Sequence, residues 1–164
     1  MNIPTFKILE PGLLTTIQDK GRYGYQKYGV PVSGAMDQFA MRASNILVGN
    51  TQDAACIEMV IIGPRLKFLD KATVSLTGAN LTPKINGSSI PLWESIDVLS
   101  DSILEFGTAT NGARSYLAVK GGIDVPVVLG SRSTYLRGGF GGIAGRALQT
   151  GDNINILSDD TQSV

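Results

Sequence analysis

Residues 11–50 read PGLLTTIQDKGRYGYQKYGVPVSGAMDQFAMRASNILVGN. The stretch starts as a strand-like run, passes through a loop rich in glycine and tyrosine, and ends in an amphipathic helix. Most connections between regular elements are short, and long ones are usually functional or disordered. The loop at residues 20–31 holds three of the five tyrosines, Tyr23, Tyr25 and Tyr28, so the sequence favours an ordered loop.

The helix at the end of this stretch has a polar start and an apolar face. Ser33 can cap it, with Asp37 near the positive end of its dipole. Gly49 suits the left-handed residue that ends a helix. Apolar side chains recur at helical spacing, which predicts that one face is buried; they are Met36, Phe39, Ala40, Ala43, Ile46 and Leu47.

The rest of the chain consists mainly of short strand-like runs between turn signals such as Asn86-Gly87. This pattern predicts a mainly β fold with one or two short helices, arranged as a barrel or a sandwich. The predicted strands are residues 6–10, 13–18, 55–61, 65–68, 73–77, 83–86, 89–92, 103–107, 114–119 and 153–157.

Composition and charge limit the classes of protein to which this chain can belong. The 164 residues fit one domain, and 14 basic residues balance 14 acidic ones, so no overall charge favours nucleic acid or a membrane surface. The start of the chain does not read as a secretory signal, and a single cysteine, Cys56, fits a cytoplasmic protein. Residues 158–164 are polar and are expected to form a flexible tail.

The chain contains no histidine. Ser-His-Asp and Cys-His catalysis by this chain alone are therefore excluded, as are histidine-based zinc sites. No metal site is predicted. Any general acid or base must be Asp, Glu, Lys, Tyr or Cys.

Glycines and arginines are concentrated between residues 114 and 146. Backbone amides freed by glycine, together with arginine forks, can bind a carboxylate or a phosphate. The alternative is that the glycines form tight corners and the arginines lie in solvent. The residues predicted to bind an anion are Arg137, Gly138, Gly139, Gly142 and Arg146, with Ser33 from the first stretch.

A second group of candidates lies in the opening stretch. Arg22 is hypothesised to bind a substrate carboxylate or phosphate, and Asp37 to orient or deprotonate the substrate. Alternatively, Asp19 and Arg22 brace the loop. The three tyrosines are candidates for stacking on a flat ring or on a partner protein, or for packing their loop onto the domain. Glu58, within an apolar strand, is interpreted as a satisfied structural acid.

Several longer motifs resemble the biotin-dependent carboxyltransferase family, which includes allophanate hydrolase subunit 2 and the C subunit of 5-oxoprolinase. In the first half they are Gln18-Asp19-x-Gly21-Arg22, Gly29-Val30-Pro31-Val32-Ser33-Gly34-Ala35-Met36-Asp37 and Asn45-x-Leu47-Val48-Gly49-Asn50. In the second half they are Tyr116-Leu117-Ala118-Val119-x-Gly121-Gly122-Ile123-Asp124-Val125-Pro126, Leu129-Gly130-Ser131-Arg132-Ser133-Thr134, Gly138-Gly139-Phe140-Gly141-Gly142 and Gly145-Arg146-Ala147-Leu148-x-x-Gly151-Asp152.

The resemblance implies a cyclophilin-like β-barrel. Family members are longer, so residues 1–157 are expected to be a single carboxyltransferase-type domain, similar to allophanate hydrolase subunit 2, that is incomplete. The resemblance further implies a non-biotinylated subunit that works on a small amide or ureido substrate. Its partner would be similar to allophanate hydrolase subunit 1, which corresponds to the B subunit of 5-oxoprolinase. No cofactor is expected to be bound covalently, and ATP or carboxybiotin would reach the chain through the partner.

Three functions follow from the resemblance. The favoured one is that of the C subunit of 5-oxoprolinase, an ATP-hydrolysing enzyme that opens a cyclic amide. The second is a carboxyltransferase subunit of the urea amidolyase or allophanate hydrolase type. The third is a truncated regulatory module that antagonises a kinase inhibitor. Self-association is also expected, because half of a larger fold would expose apolar surface.

Overall fold

A computed structural model describes residues 5–157 of the chain. Within these residues the fold is mainly β, with one α-helix and one short 3-10 helix at Gln26–Tyr28. The strands are β1 (Phe6–Glu10), β2 (Leu14–Gln18), β3 (Cys56–Val60), β4 (Arg65–Phe68), β5 (Ala72–Asn80), β6 (Lys84–Ile85), β7 (Ser88–Ser89), β8 (Ser95–Val98), β9 (Ile103–Glu105), β10 (Asn111–Val119), β11 (Ile123–Asp124) and β12 (Asn153–Ile156), and the helix is α1 (Gln38–Leu47).

The strands form two antiparallel sheets. One sheet has the order β11-β12-β1-β4-β9-β6-β7, and the other has the order β2-β3-β10-β5-β8. One apolar core takes side chains from both sheets, including Phe6 and Phe68 from the first and Ile57 and Leu117 from the second. The mainly β prediction is confirmed, and the core is enclosed by two sheets that are not closed into one cylinder.

Strand β10 is central to the five-stranded sheet, and its second half, residues 115–119, is buried on both faces. It pairs with β3 on one side and β5 on the other. Because side chains alternate along a strand, Leu117 and Val119 enter the core between the sheets, whereas Tyr116 and Ala118 face a second, smaller core. That second core lies under α1 and also contains Met41.

Helix α1 begins at a different residue from the one the sequence predicted. Asp37, not Ser33, is the N-cap, and its side chain accepts a hydrogen bond from the Ala40 N–H at 3.0 Å. Ser33 lies four residues earlier with a φ of 57°, a left-handed conformation within the turn that leads to the helix. The predicted left-handed stop at Gly49 is present, with a φ of 80°.

The buried face of α1 also differs from the prediction. The helix packs on the sheet through Ala40, Met41, Ser44 and Asn45. Three residues of the predicted face are instead exposed: Met36 (69%), Phe39 (76%) and Ile46 (61%).

The reason is the close approach of α1 to strand β5. The Ser75 hydroxyl donates to the Ser44 carbonyl and the Thr77 hydroxyl donates to the Ala40 carbonyl, both at 2.6 Å. These contacts hold the helix backbone at Ala40 and Ser44 against the sheet, so the face with Ala40, Met41 and Ser44 is buried, whereas Phe39 and Ile46 point away from the sheet.

The predicted strands at residues 6–10 and 65–68 have the same bounds in the structure. The run predicted at 89–92 was wrong for most of its length, because β7 ends at Ser89 and the chain then turns through Trp93. The sequence also missed β8 and β11. Strand β8 is an edge strand with mostly exposed side chains, and β11 has only two residues.

Cys56 is fully buried in the smaller core, and burial raises the pKa of its thiol to about 12.

No helix within residues 5–157 is both long and apolar enough to cross a membrane. The expected flexible tail at residues 158–164 lies outside the described residues, and the single-domain assignment for residues 1–157 stays a prediction.

Two glycines with the same backbone conformation provide a matched test of packing in the loop after β11. Gly139 and Gly145 have φ values of 69° and 66°; a Cβ at Gly139 would meet nothing within 4 Å, whereas one at Gly145 would clash with the Gly139 carbonyl. We expect Gly139→Ala to lower the free energy of unfolding by about 1 kcal/mol, from backbone strain alone. Gly145→Ala should cost at least about 2 kcal/mol more. Urea denaturation measures both, and equal losses would contradict the packing.

Candidate functional site

Asp19 connects the opening stretch to the segment at residues 131–133. Its carboxylate accepts hydrogen bonds from the hydroxyls of Ser131 and Ser133 and from the N–H groups of Gly21 and Arg132. Four donors leave this carboxylate fully engaged and only 7% of the residue exposed. Asp19 is therefore a structural acid, and within the described residues it forms no ion pair with Arg22.

Arg22 is buried, with 1% of its surface exposed. Its Nε donates to the Val128 carbonyl at 3.2 Å and one terminal nitrogen donates to the Ser133 carbonyl at 2.6 Å. The guanidinium lies 5.0 Å from the ring centroid of Phe140, and desolvation lowers the pKa of Arg22 from its usual value. This geometry braces the segment that contains Val128, Ser133 and Phe140. The predicted ligand role of Arg22 stays a prediction.

The amides of the glycine-rich loop are largely engaged in turns. The N–H groups of Gly139 and Gly142 donate to the carbonyls of Tyr135 and Arg132. Arg146 is also engaged, because both terminal nitrogens donate to the Asp152 carboxylate at 2.8 and 2.9 Å. These donors are engaged within the protein itself, and the predicted anion binding by this loop stays a prediction.

Arg137 is the exposed arginine of this loop, and it lies next to the tyrosine-rich stretch. A shallow groove of about 400 Å³ is lined by Arg137, Tyr135, Gln26 and residues 29–31. Tyr23 and Tyr28 are exposed nearby in the sequence, at 61% and 72%, and Tyr25 is half-buried. The structure thus brings Arg137 to the tyrosine stretch, although the predicted roles of these residues, and of Gly138 and Ser33, stay predictions.

A larger cleft of about 480 Å³ lies at the N-terminal end of α1. Its apolar walls come from the side chains of Met36, Phe39 and Trp93, and its polar rim includes Asp37 and Arg114. The rings of Phe39 and Trp93 lie 6.4 Å apart at their centroids, tilted by 41°. The cleft therefore combines aromatic surface with one acidic and one basic side chain.

Trp93 is held in this wall by an unusual backbone conformation. Its φ is 62°, a region that large side chains rarely adopt. The Trp93 N–H donates to the Leu76 carbonyl at 2.7 Å, which fixes the residue against β5. Strained residues of this kind are concentrated at functional sites, and the conformation here turns the indole out of the core, with 44% of the residue exposed.

A buried polar network supports the cleft from behind. The Tyr116 hydroxyl donates to Glu58 at 2.7 Å and accepts from the Asp37 N–H at 2.9 Å, while the Met36 N–H donates to the same Glu58 oxygen at 2.9 Å. Burial raises the pKa of Tyr116, so its hydroxyl remains a donor. The network anchors the start of α1 to strands β3 and β10.

Arg114 links this network to the cleft. Its Nε lies 3.7 Å from the second oxygen of Glu58, and this Nε has no hydrogen-bond partner within residues 5–157. A third of its side chain is exposed. Glu58 thus orients the guanidinium, and the side chain lines the cleft.

The sequence identified Asp37 but missed Arg114, Tyr116 and Trp93 as site residues. Asp37 lines the cleft, yet one carboxylate oxygen is used for capping α1. The available signal was the strand pattern: Glu58 and Tyr116 lie directly opposite each other in the pairing of β3 with β10, but that register is not readable from either strand alone.

A further cavity, about 600 Å³, contains none of the predicted site residues. Lys71, Lys120 and Asp97 line it at the edge of the five-stranded sheet. The charged side chains there are exposed. Within the described chain, no three Asp, Glu or Cys side chains are grouped so that they could hold a metal ion.

Comparison with known proteins places these features in a family. A family model described as "Carboxyltransferase domain, subdomain A and B" matches residues 28–164. The chain is 40% identical over 155 residues to urea amidolyase of Saccharomyces cerevisiae, covering 94% of this chain and 8% of that protein. It is 38% identical over 150 residues to the C subunit of 5-oxoprolinase from Escherichia coli, covering 92% of this chain and 48% of that protein.

The fold has a close counterpart among solved structures. The crystal structure of the K. lactis urea amidolyase superimposes with a TM-score of 0.93 and 39% identity, covering 100% of this chain and 10% of that one. The chain therefore spans about half the length of the 5-oxoprolinase relative and about a tenth or less of the two urea amidolyases.

Replacing Arg22 tests whether it braces the fold. Arg22→Ala leaves the Ser133 carbonyl without its donor, removes one of the two donors to the Val128 carbonyl and removes the contact with Phe140, so we expect the free energy of unfolding to fall by about 2–4 kcal/mol. Arg137→Ala, at an exposed position, should change it by less than about 0.5 kcal/mol. Thermal denaturation followed by circular dichroism compares the two. Equal stability of the Arg22 variant and the wild type would show that the buried contacts are dispensable.

The Arg146–Asp152 pair predicts a pH dependence. Hydrogen bonds from Arg146 hold the pKa of Asp152 below its usual value, so this pair stabilises the fold above the unfolded-state pKa of about 4. The contribution is lost as the pH falls through the lower folded-state pKa. Chemical denaturation between about pH 5 and pH 2 should show a steeper loss for the wild type than for Asp152→Asn. Parallel curves for the two proteins would rule out this contribution.

Proposed function

This chain belongs to the carboxyltransferase-domain family, and we propose that it acts in a multi-subunit enzyme, in the role of the C subunit of 5-oxoprolinase. In this proposal the cleft at the start of α1 binds 5-oxoproline, a small cyclic amide that carries a carboxylate. The observation that carries the proposal is Arg114, a guanidinium oriented by a buried acid and placed at the rim of a partly aromatic cleft.

Arg114 suits the carboxylate of this ligand. A guanidinium presents paired N–H donors that match a carboxylate, and such charge-assisted bonds are stronger than neutral ones. The second oxygen of Glu58, 3.7 Å from the Arg114 Nε, restrains the guanidinium. A ligand carboxylate would then pair with the exposed part of this side chain.

The apolar walls suit the ring. Phe39 and Trp93 offer two ring surfaces at an angle, and Met36 adds a flexible apolar side chain. A five-membered lactam has methylene groups that gain from such contacts. The size of the cleft, about 480 Å³, leaves room for this small ligand together with ordered water.

The proposal limits this chain to binding and orienting the cyclic amide. ATP hydrolysis would supply the driving force for adding water across the lactam C–N bond. The sequence lacks the Gly-x-x-x-x-Gly-Lys-Ser/Thr pattern of a common phosphate loop, and the amides of Gly139 and Gly142 are already bonded within their own loop. We therefore assign ATP to a partner protein, similar to the B subunit of 5-oxoprolinase.

A carboxyltransferase subunit of the urea amidolyase type is the second candidate. The identity of 40% to the Saccharomyces cerevisiae urea amidolyase favours it as strongly as 38% favours the 5-oxoprolinase role. Biotin would then arrive on another domain, attached through its own carboxyl group, and its ring would meet the same aromatic walls. We place 5-oxoproline first because it carries a permanent carboxylate for Arg114, whereas urea has none.

Ligand analogues provide the direct test. By isothermal titration calorimetry we expect 5-oxoproline to bind at least about tenfold more tightly than 2-pyrrolidone, which has the same lactam ring without the carboxylate. Arg114→Gln should remove this difference, because the charge-assisted bonds are lost.

The control is Arg65→Gln, which removes an arginine on β4 that does not line the cleft. It should bind both ligands as the wild type does, and circular dichroism establishes that both variants are folded. Equal affinity of the wild type for the two ligands would refute the assigned role of Arg114. Binding of urea without binding of 5-oxoproline would instead support the urea amidolyase type.

A further inference from the structure

Helix α1 carries an apolar strip on the side that faces away from the sheet. The strip consists of Phe39, Ala43 and Ile46, and it continues at its start into Met36 and Trp93. Phe39, Ile46 and Met36 are each more than 60% exposed. The strip is therefore a run of large apolar side chains in water, spanning the length of the helix.

The domain itself does not require this arrangement. The opposite face of α1 already anchors the helix through small residues and hydroxyl contacts from β5. Polar side chains at 39 and 46 would serve that packing equally well. Contiguous exposed apolar surface of this kind marks interaction sites.

We propose that the strip is the docking surface for a partner subunit of the same complex. The partner segment would present apolar side chains to Phe39, Ala43 and Ile46 and one carboxylate to Arg42. Arg42 is exposed on the same helix, beside the middle of the strip, and has no carboxylate within ion-pair distance in the part of the chain that the structure describes. An arginine flanking an apolar surface is a common feature of interface anchors.

The position of Arg42 argues for a different polypeptide rather than a second copy of this chain. Phe39 and Ile46 lie at the two ends of the helical strip, so a two-fold axis through its centre passes close to residues 42 and 43. Two Arg42 side chains would then meet across the interface, and like charges in contact oppose association. A partner with an acid at that point has no such penalty.

The strip is continuous with the cleft. Met36, Phe39 and Trp93 belong to both, so a protein docked on α1 would form part of the cleft wall. The partner would thereby shield a bound ligand from water and strengthen the contact with Arg114. This inference takes from the proposed function only that the chain works as one subunit of a complex.

The test uses the chain co-expressed with the protein of its own organism that is similar to the B subunit of 5-oxoprolinase. Ile46→Asp lies outside the cleft, and we expect it to weaken the measured affinity between the two proteins at least about tenfold, because an apolar contact is replaced by a charge. The matched control is Leu99→Asp, at a residue that is 75% exposed, directly follows β8 and lines neither the strip nor the cleft. It should leave the affinity unchanged.

Charge reversal supplies an independent variant. Arg42→Glu should weaken the complex by about tenfold, whereas Lys84→Glu, the same change of charge at an exposed position on β6, should not. Analytical ultracentrifugation of the chain alone should show a monomer. Titration of the isolated variants with 5-oxoproline separates the two proposals, because Ile46→Asp should bind this ligand as the wild type does even when the complex is lost.

Three results would overturn the inference. The first is a complex that fails to form or that is insensitive to both Ile46→Asp and Arg42→Glu. The second is a homodimer of the chain alone that Ile46→Asp dissociates, which would identify a second copy as the occupant. The third is a large loss of thermal stability of Ile46→Asp in the isolated chain, which would show that the strip packs within its own polypeptide.

Discussion

The buried carboxylate of Asp19 is the interaction on which the rest of the site depends. It receives four hydrogen bonds, two from hydroxyls and two from backbone amides, and the Asp19 carbonyl also accepts from the Ala35 N–H at 3.0 Å. One residue therefore fixes the segment at 131–133 and the approach to α1 at the same time. A buried carboxylate must have hydrogen-bond partners, so this part of the fold has little freedom to shift. The positions of Arg22 and of the start of the helix therefore depend on Asp19.

A second buried acid, Glu58, positions residues around the cleft. It joins Tyr116 on β10 to the Met36 amide before α1 and lies beside Arg114. Asp19 holds the loops together, whereas Glu58 holds the start of the helix and orients Arg114. Buried charges are generally paired or hydrogen-bonded, and here that requirement gives both the rigidity of the scaffold and the direction of a donor at the surface.

Much of the fold could be predicted from the sequence, because β1 and β4 combine apolar alternation with clear turn residues. The buried face of α1 could not. Which face packs is decided by the Ser75 and Thr77 hydroxyls, which are distant in sequence and bind the helix backbone at Ser44 and Ala40. Of the motif residues, Asp19 and Arg22 hold the framework of the chain, and the ligand role predicted for Arg22 stays a prediction. Arg114, at the rim of the cleft, belongs to no quoted motif, and its partner Glu58 becomes apparent only once the register of β3 and β10 is known.

The chemistry of Cys56 gives this domain a practical property. Its thiol is fully buried and, with a pKa of about 12, is almost entirely protonated at neutral pH. Maleimides and similar reagents need an accessible thiolate, so the native protein should not react with them. A single cysteine introduced on the surface would carry a fluorophore or spin label at one defined position without removal of the natural one. Motions of the cleft could then be followed by spectroscopy in an otherwise unaltered molecule.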